Sequence, residues 1–145
     1  MPFTGNYASN VFKTGLTDGL FNFGTGTSDV YKIALYTNAA TLNADTTGYT
    51  SVGEVVGTGY TATGNVLSVS VVPTNSNNVT YLSFTNAEWP GASFTARGAL
   101  IYKADGATNP AVCVLDFGSD KIANNGTFVV QFPSPTNTSA IIRIV

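Results

Sequence analysis

Tyr31-Lys32-Ile33-Ala34-Leu35-Tyr36-Thr37 decides the fold class. Tyr31, Ile33 and Leu35 fall on one side of an extended chain and Lys32 on the other, the two-residue period of a strand. The pattern continues down the chain. Leu67, Val69 and Val71 alternate with Ser68 and Ser70 within 66–72, and residues 79–85 are rich in strand formers. Residues 98–103, 111–117, 127–132 and 140–145 are further strand candidates. Gly, Asn, Pro and Ser clusters separate them, and no helical pattern of 10–15 residues intervenes, which excludes a parallel α/β sheet. The expected fold is therefore all-β, an antiparallel β-sandwich of jelly-roll type, occupying residues 29–145 as one domain.

Turn chemistry agrees with antiparallel pairing. Asn75-Ser76-Asn77-Asn78 joins two strands as a hairpin would, and Asp105-Gly106 and Asn125-Gly126 are favoured tight-turn dipeptides. Pro133-Ser134-Pro135 interrupts the last pair of strands, because proline cannot donate to a ladder. Residues 38–64 stand apart as a long Thr- and Gly-studded stretch with one short strand candidate, Glu54-Val55-Val56. Residues 1–28 form a separate N-terminal segment. Within it, Val11, Phe12, Leu16, Leu20 and Phe21 lie along one side of a short amphipathic helix predicted over 6–21, weakened by Gly15 and Gly19. A Gly/Thr loop follows at 24–29.

Composition narrows function. Among 145 residues only 10% are charged, against a usual figure of about 25%. The net charge of −2 provides no electrostatic footprint for a phosphate backbone, so no nucleic-acid partner is expected. There is no histidine, which removes the usual near-neutral acid–base group and the His-ligated metals, and one cysteine allows no internal disulfide. The opening Met1-Pro2-Phe3-Thr4-Gly5 has neither the basic nor the apolar region of a signal peptide, and no apolar run reaches membrane-spanning length. The expectation is a chain made in a cytoplasm, with no membrane partner and no cofactor.

Candidate chemistry is sparse. Gly57-Thr58-Gly59, with Gly64 beyond, matches neither phosphate-binding glycine pattern and reads as a structural loop. Asp116 and Asp120, beside Lys121, raise a paired-carboxylate hydrolase, but Asp116 alternates with Leu115 and Phe117, and Asp120 falls in a following turn. Glu54 and Glu88 have no carboxylate near them in sequence. Cys113, between Val112 and Val114 and in phase with Ala111 and Leu115, reads as a small core residue. Among the aromatics, Phe84, Phe94, Phe117, Phe128 and Phe132 are expected in the core. Tyr49, Tyr60 and Trp89, expected in Gly- or Pro-flanked loops, are the interface candidates.

Several stretches together resemble a known family. They are Asp29-Val30-Tyr31-Lys32-Ile33-Ala34-Leu35-Tyr36-Thr37, Gly53-Glu54-Val55-Val56-Gly57-Thr58-Gly59-Tyr60 and Phe94-Thr95-Ala96-Arg97-Gly98-Ala99-Leu100-Ile101-Tyr102. Ala111-Val112-Cys113-Val114-Leu115-Asp116-Phe117-Gly118 and the tail 128–145 join them. In order and spacing, from residue 29 to 145, the set resembles small virion structural proteins of tailed bacteriophages, including cyanophages. The resemblance implies a non-enzymatic subunit of the particle. Its expected role is that of a capsid cement (decoration) protein, which sits as a homotrimer on the shell exterior and ties major capsid protein subunits together. The alternative is a tail-associated module that binds a host glycan or receptor through Tyr49, Tyr60 or Trp89.

Overall fold

The structure, a computed structural model, describes residues 3–145; Met1 and Pro2, the start of the segment read as lacking a signal peptide, lie outside the described residues. Its elements in chain order are β1 (Tyr7–Ala8), α1 (Asn10–Asp18), β2 (Tyr31–Tyr36), β3 (Asn65–Leu67), β4 (Val69–Ser76), β5 (Val79–Phe84), β6 (Ala87–Lys103), β7 (Ala111–Val130) and β8 (Ile142–Ile144). They form two antiparallel sheets, a five-stranded one in the order β1-β7-β6-β2-β3 and a three-stranded one in the order β4-β5-β8. The expected all-β sandwich-like fold is what the chain adopts. No helix among the described residues is long and apolar enough to cross a membrane.

The main core lies between the sheets. Tyr31, Ile33 and Leu35 of β2 meet Leu82 and Phe84 of β5 and Ile142 of β8 there, as the alternation in β2 predicts. The opposite side of β2 is also buried. Ala34 and Tyr36 belong to a second apolar cluster with Phe3, Ala40, Leu42, Leu100, Tyr102, Ala111 and Val114. Burial of both sides of a strand requires a cover on each. The N-terminal residues and the stretch 38–64 provide the second one, which gives that long loop a structural task.

Where strands begin and end departs from expectation in ways that bulges explain. The segment 66–72 is not one strand: the chain leaves the larger sheet after Leu67 and enters the smaller at Val69, and Ser68 between them accepts a hydrogen bond from the Thr85 N–H (2.9 Å). Conversely, the candidates 111–117 and 127–132 are the two ends of one strand, β7, which runs beside β6 almost throughout. Asn125-Gly126 is a bulge in β7 and not a hairpin turn: Asn125 takes φ 52°, and the register shifts opposite it between Ala92 and Ser93. Pro90 and Gly91 fall in a second shift, between Trp89 and Ala92, where no ladder N–H is required of the proline. Asp105-Gly106 does lie in the loop joining β6 to β7. Asn77 and Asn78, at φ 51° and 64°, make the tight β4–β5 turn that pairs Ser76 with Val79.

Residues 3–28 are built into the sandwich. β1 pairs with β7 at Cys113 and Val114, and Phe12, Phe21 and Phe23 join the main core. The helix is shorter than the predicted 6–21. It starts at a buried Ser9, whose hydroxyl accepts from the Phe12 N–H (2.9 Å) and donates to the Ala111 carbonyl (2.7 Å). It stops at Gly19, a left-handed cap whose N–H bonds the Gly15 carbonyl. Gly15, unfavourable for helix propensity, is there for packing: a Cβ would lie 2.5 Å from the Phe21 ring.

Candidate functional site

β3 pairs with β2 only at residues 31–33, which leaves the β2 edge open from Ala34 onward. Residues 53–55 occupy that edge. The Val55 N–H donates to the Leu35 carbonyl (3.0 Å), the Thr37 N–H to the Gly53 carbonyl (2.8 Å), and Tyr36 bridges Glu54. Gly64 ends the excursion at φ 80°, so close to β2 that a Cβ would stand 1.9 Å from the Ile33 carbonyl oxygen; only glycine fits both constraints.

Glu54 ties this loop together. Its Oε2 accepts from the Tyr49 hydroxyl (2.6 Å), and its Oε1 accepts from the Tyr60 hydroxyl (2.7 Å) and the Thr63 N–H (2.8 Å). The Tyr60 oxygen in turn accepts from the Leu35 N–H (3.0 Å), which connects the cluster to β2. Thr63 is held twice more, at Oγ1 by the Lys32 ammonium (2.9 Å) and at its carbonyl by the Tyr102 hydroxyl (2.7 Å). The Tyr36 hydroxyl donates to the Thr50 carbonyl (2.8 Å). One carboxylate and four tyrosines thus fasten residues 49–63 to the larger sheet. Burial, and next the hydrogen bond to Glu54, push the Tyr49 and Tyr60 phenols well above their ordinary range. Burial raises Tyr36 similarly and pushes Tyr102 up to about 12.

The three sequence-predicted interface residues converge on this cluster from the inside. Tyr49 and Tyr60 both bind Glu54, and the Tyr60 ring stacks on Trp89 with centroids 6.2 Å apart. The expected loop placement of Trp89 is corrected: it lies within β6, is 2% exposed, and packs against Phe128. Tyr49 and Tyr60 are only half-buried, yet their hydroxyls are engaged and their rings pack on Tyr102 and on Trp89 and Phe94. What the pinned loop turns outward is aliphatic instead. Val52 and Val56, flanking Glu54, are 71% and 95% exposed. Residue type and pattern mark neither valine as a contact, and present Glu54 only as a carboxylate without a partner in a short strand candidate. The available signal was Val52-Gly53-Glu54-Val55-Val56, in which one valine of three faces inward.

The other candidates have structural roles. Asp116 and Asp120 do not face each other across a cleft but share Arg97, whose Nε lies 3.7 Å from Asp116 and whose guanidinium lies 3.9 Å from Asp120. Asp116 also accepts from the Gly118 N–H (2.8 Å), where the strand bulges. Cys113 packs in the main core, and burial pushes its thiol up to about 12, which makes it a poor nucleophile at neutral pH. Its expected phase with Ala111 is broken: Ile101 pairs with Cys113 and Tyr102 with Ala111, so Val112 is an extra residue and the two flanking it serve different cores. Gly57-Thr58-Gly59 is structural as expected, with Thr58 bridged to Ser93 of β6. Compared with protein-family models, curated proteins and solved structures, the chain matches none.

Proposed function

We propose that this chain is a structural subunit of a phage particle, a cement protein that docks as a homotrimer on the capsid exterior and ties major capsid protein subunits together. The observation that carries the reading is the loop at Glu54. A half-buried hydrogen-bonded cluster fastens it to the larger sheet while it presents Val52 and Val56 to the outside. A contact loop ordered in advance loses little conformational entropy on docking. Its apolar tips bury no unpaired charge. Few charged residues anywhere on the chain suit a surface that meets protein, and threefold engagement multiplies weak contacts. The resemblance of residues 29–145 to phage virion proteins supports the same reading. The glycan-binding alternative rested on exposed aromatics, and Tyr49, Tyr60 and Trp89 all turn inward.

The experiment is reconstitution. Shells stripped of accessory proteins, from the phage that encodes the chain, are mixed with purified protein and heated. Bound protein should raise the disruption temperature, because whatever binds only the assembled lattice favours it. The double variant Val52→Asp/Val56→Asp should remain folded and lose binding. No binding of the wild-type chain at saturating concentration would refute the proposal.

A further inference from the structure

A groove of about 700 Å³ lies on the side of the molecule where the two sheets expose their last strands. Residues 6–8 and 113–115 form one wall and residues 140–145 the other. Consecutive residues line each wall regardless of which side their side chains take, so the groove runs along strand edges. β1 pairs only with β7, and β8 pairs only with β5, so among the described residues the outer edge of each is unpaired. Phe12, Leu16, Leu115 and Ile142 make the groove apolar, and Ile144 remains half exposed.

The side-chain charges around it are one-sided. Four of the six Lys and Arg side chains have polar partners: Lys32 with Thr63, Arg97 with Asp116 and Asp120, Lys103 with Asp29, and Lys121 with Ser119. Lys13 and Arg143 have none among the described residues. Both line this groove, and no Asp or Glu side chain does. An open backbone edge, an apolar floor and two unpaired cations at the rim specify complementary chemistry.

We propose that the groove binds an extended segment of a partner protein that pairs with the β8 edge, alternates apolar side chains, and carries carboxylates toward Lys13 and Arg143. Strand addition of this kind draws affinity from main-chain hydrogen bonds and specificity from alternate side chains. The three residues of β8, Ile142–Ile144, offer about 10 Å of extended edge, enough to pair with a short strand of similar length. The inference does not depend on which assembly the chain serves, and the site is separate from the Glu54 loop.

The test is selection from a displayed library of random peptides on the full-length chain, followed by fluorescence polarisation with the selected peptides. Expected winners alternate apolar residues with Asp or Glu and shift the backbone amide signals of Ile142, Arg143 and Ile144. Their affinity should fall about tenfold for Lys13→Glu/Arg143→Glu, and by less for the neutral Lys13→Gln/Arg143→Gln, which guards against a folding defect. No enrichment, winners without carboxylates, or equal binding to both variants would overturn it. So would oleate binding that displaces the winners, or self-association of the chain that the charge reversal abolishes; these would assign the groove to a fatty acid or to a second copy.

Discussion

Glu54→Ala is expected to cost about 3–4 kcal/mol of folding stability and to free the 49–63 loop from the larger sheet. The change leaves the Tyr49 hydroxyl, the Tyr60 hydroxyl and the Thr63 N–H without their acceptor. Each lost bond costs about 1 kcal/mol, more for a charged acceptor in a poorly solvated place. Glu54→Gln keeps an acceptor oxygen for Tyr60 and Thr63 and turns its amide toward the Tyr49 hydroxyl, which then accepts, but it removes the charge that strengthens all three bonds, so about half the loss should remain. Urea unfolding measures both, and hydrogen exchange should show faster exchange at residues 53–63 in the alanine variant. A loss under about 0.5 kcal/mol would mean that the cluster does not hold the loop.

Raising the pH above 10 is expected to unfold the protein cooperatively. Tyr31, Tyr36 and Tyr102 are almost fully buried, and burial is the first cause holding each phenol neutral beyond its ordinary range. In the unfolded chain they ionise near pH 10. Below that pH both states carry the same protons and stability is complete. Above it the unfolded state releases protons that the folded state retains, so stability falls with pH, by about 1.4 kcal/mol per unit for each tyrosine. Tyr102 contributes to this slope up to about pH 12, where its folded form also ionises. Three such groups remove about 4 kcal/mol per unit, against a total of about 5–15 kcal/mol for an ordinary domain. Unfolding should begin near pH 11. The phenolate absorbance of the buried tyrosines and the loss of far-ultraviolet dichroism should then rise in one step. Smooth phenolate titration with the fold intact would contradict the assigned burial.

Both predictions concern residues that sequence patterns present unequally. The alternation in Tyr31-Lys32-Ile33-Ala34-Leu35 correctly indicates a strand facing a core, and Asn77-Asn78 announces its turn. Cys113 reads as a core residue and is one. The long β6–β7 pair was not legible as such, because residues such as Asn125-Gly126 serve bulges as well as turns and only the partner strand decides which. Nor could local patterning show that Ala34 and Tyr36 are covered by the loop 38–64, since that cover comes from distant sequence. The candidate site was hidden for a different reason. Tyr49, Tyr60 and Trp89 stand out by residue type, but the group that joins the two tyrosines is Glu54, five and six residues from them, a pairing that no strand or turn pattern marks. Val52 and Val56 acquire meaning only after that cluster is seen to hold the loop still.

The most direct test of the virion reading is to ask where the chain resides. Particles produced by the genome that encodes it should be purified on a density gradient, probed with gold-labelled antibody to this chain, and imaged. The reading predicts label distributed over the capsid exterior, at a copy number fixed relative to the major capsid protein. Label confined to the tail, or the chain recovered only in the soluble fraction of the lysate, would contradict it.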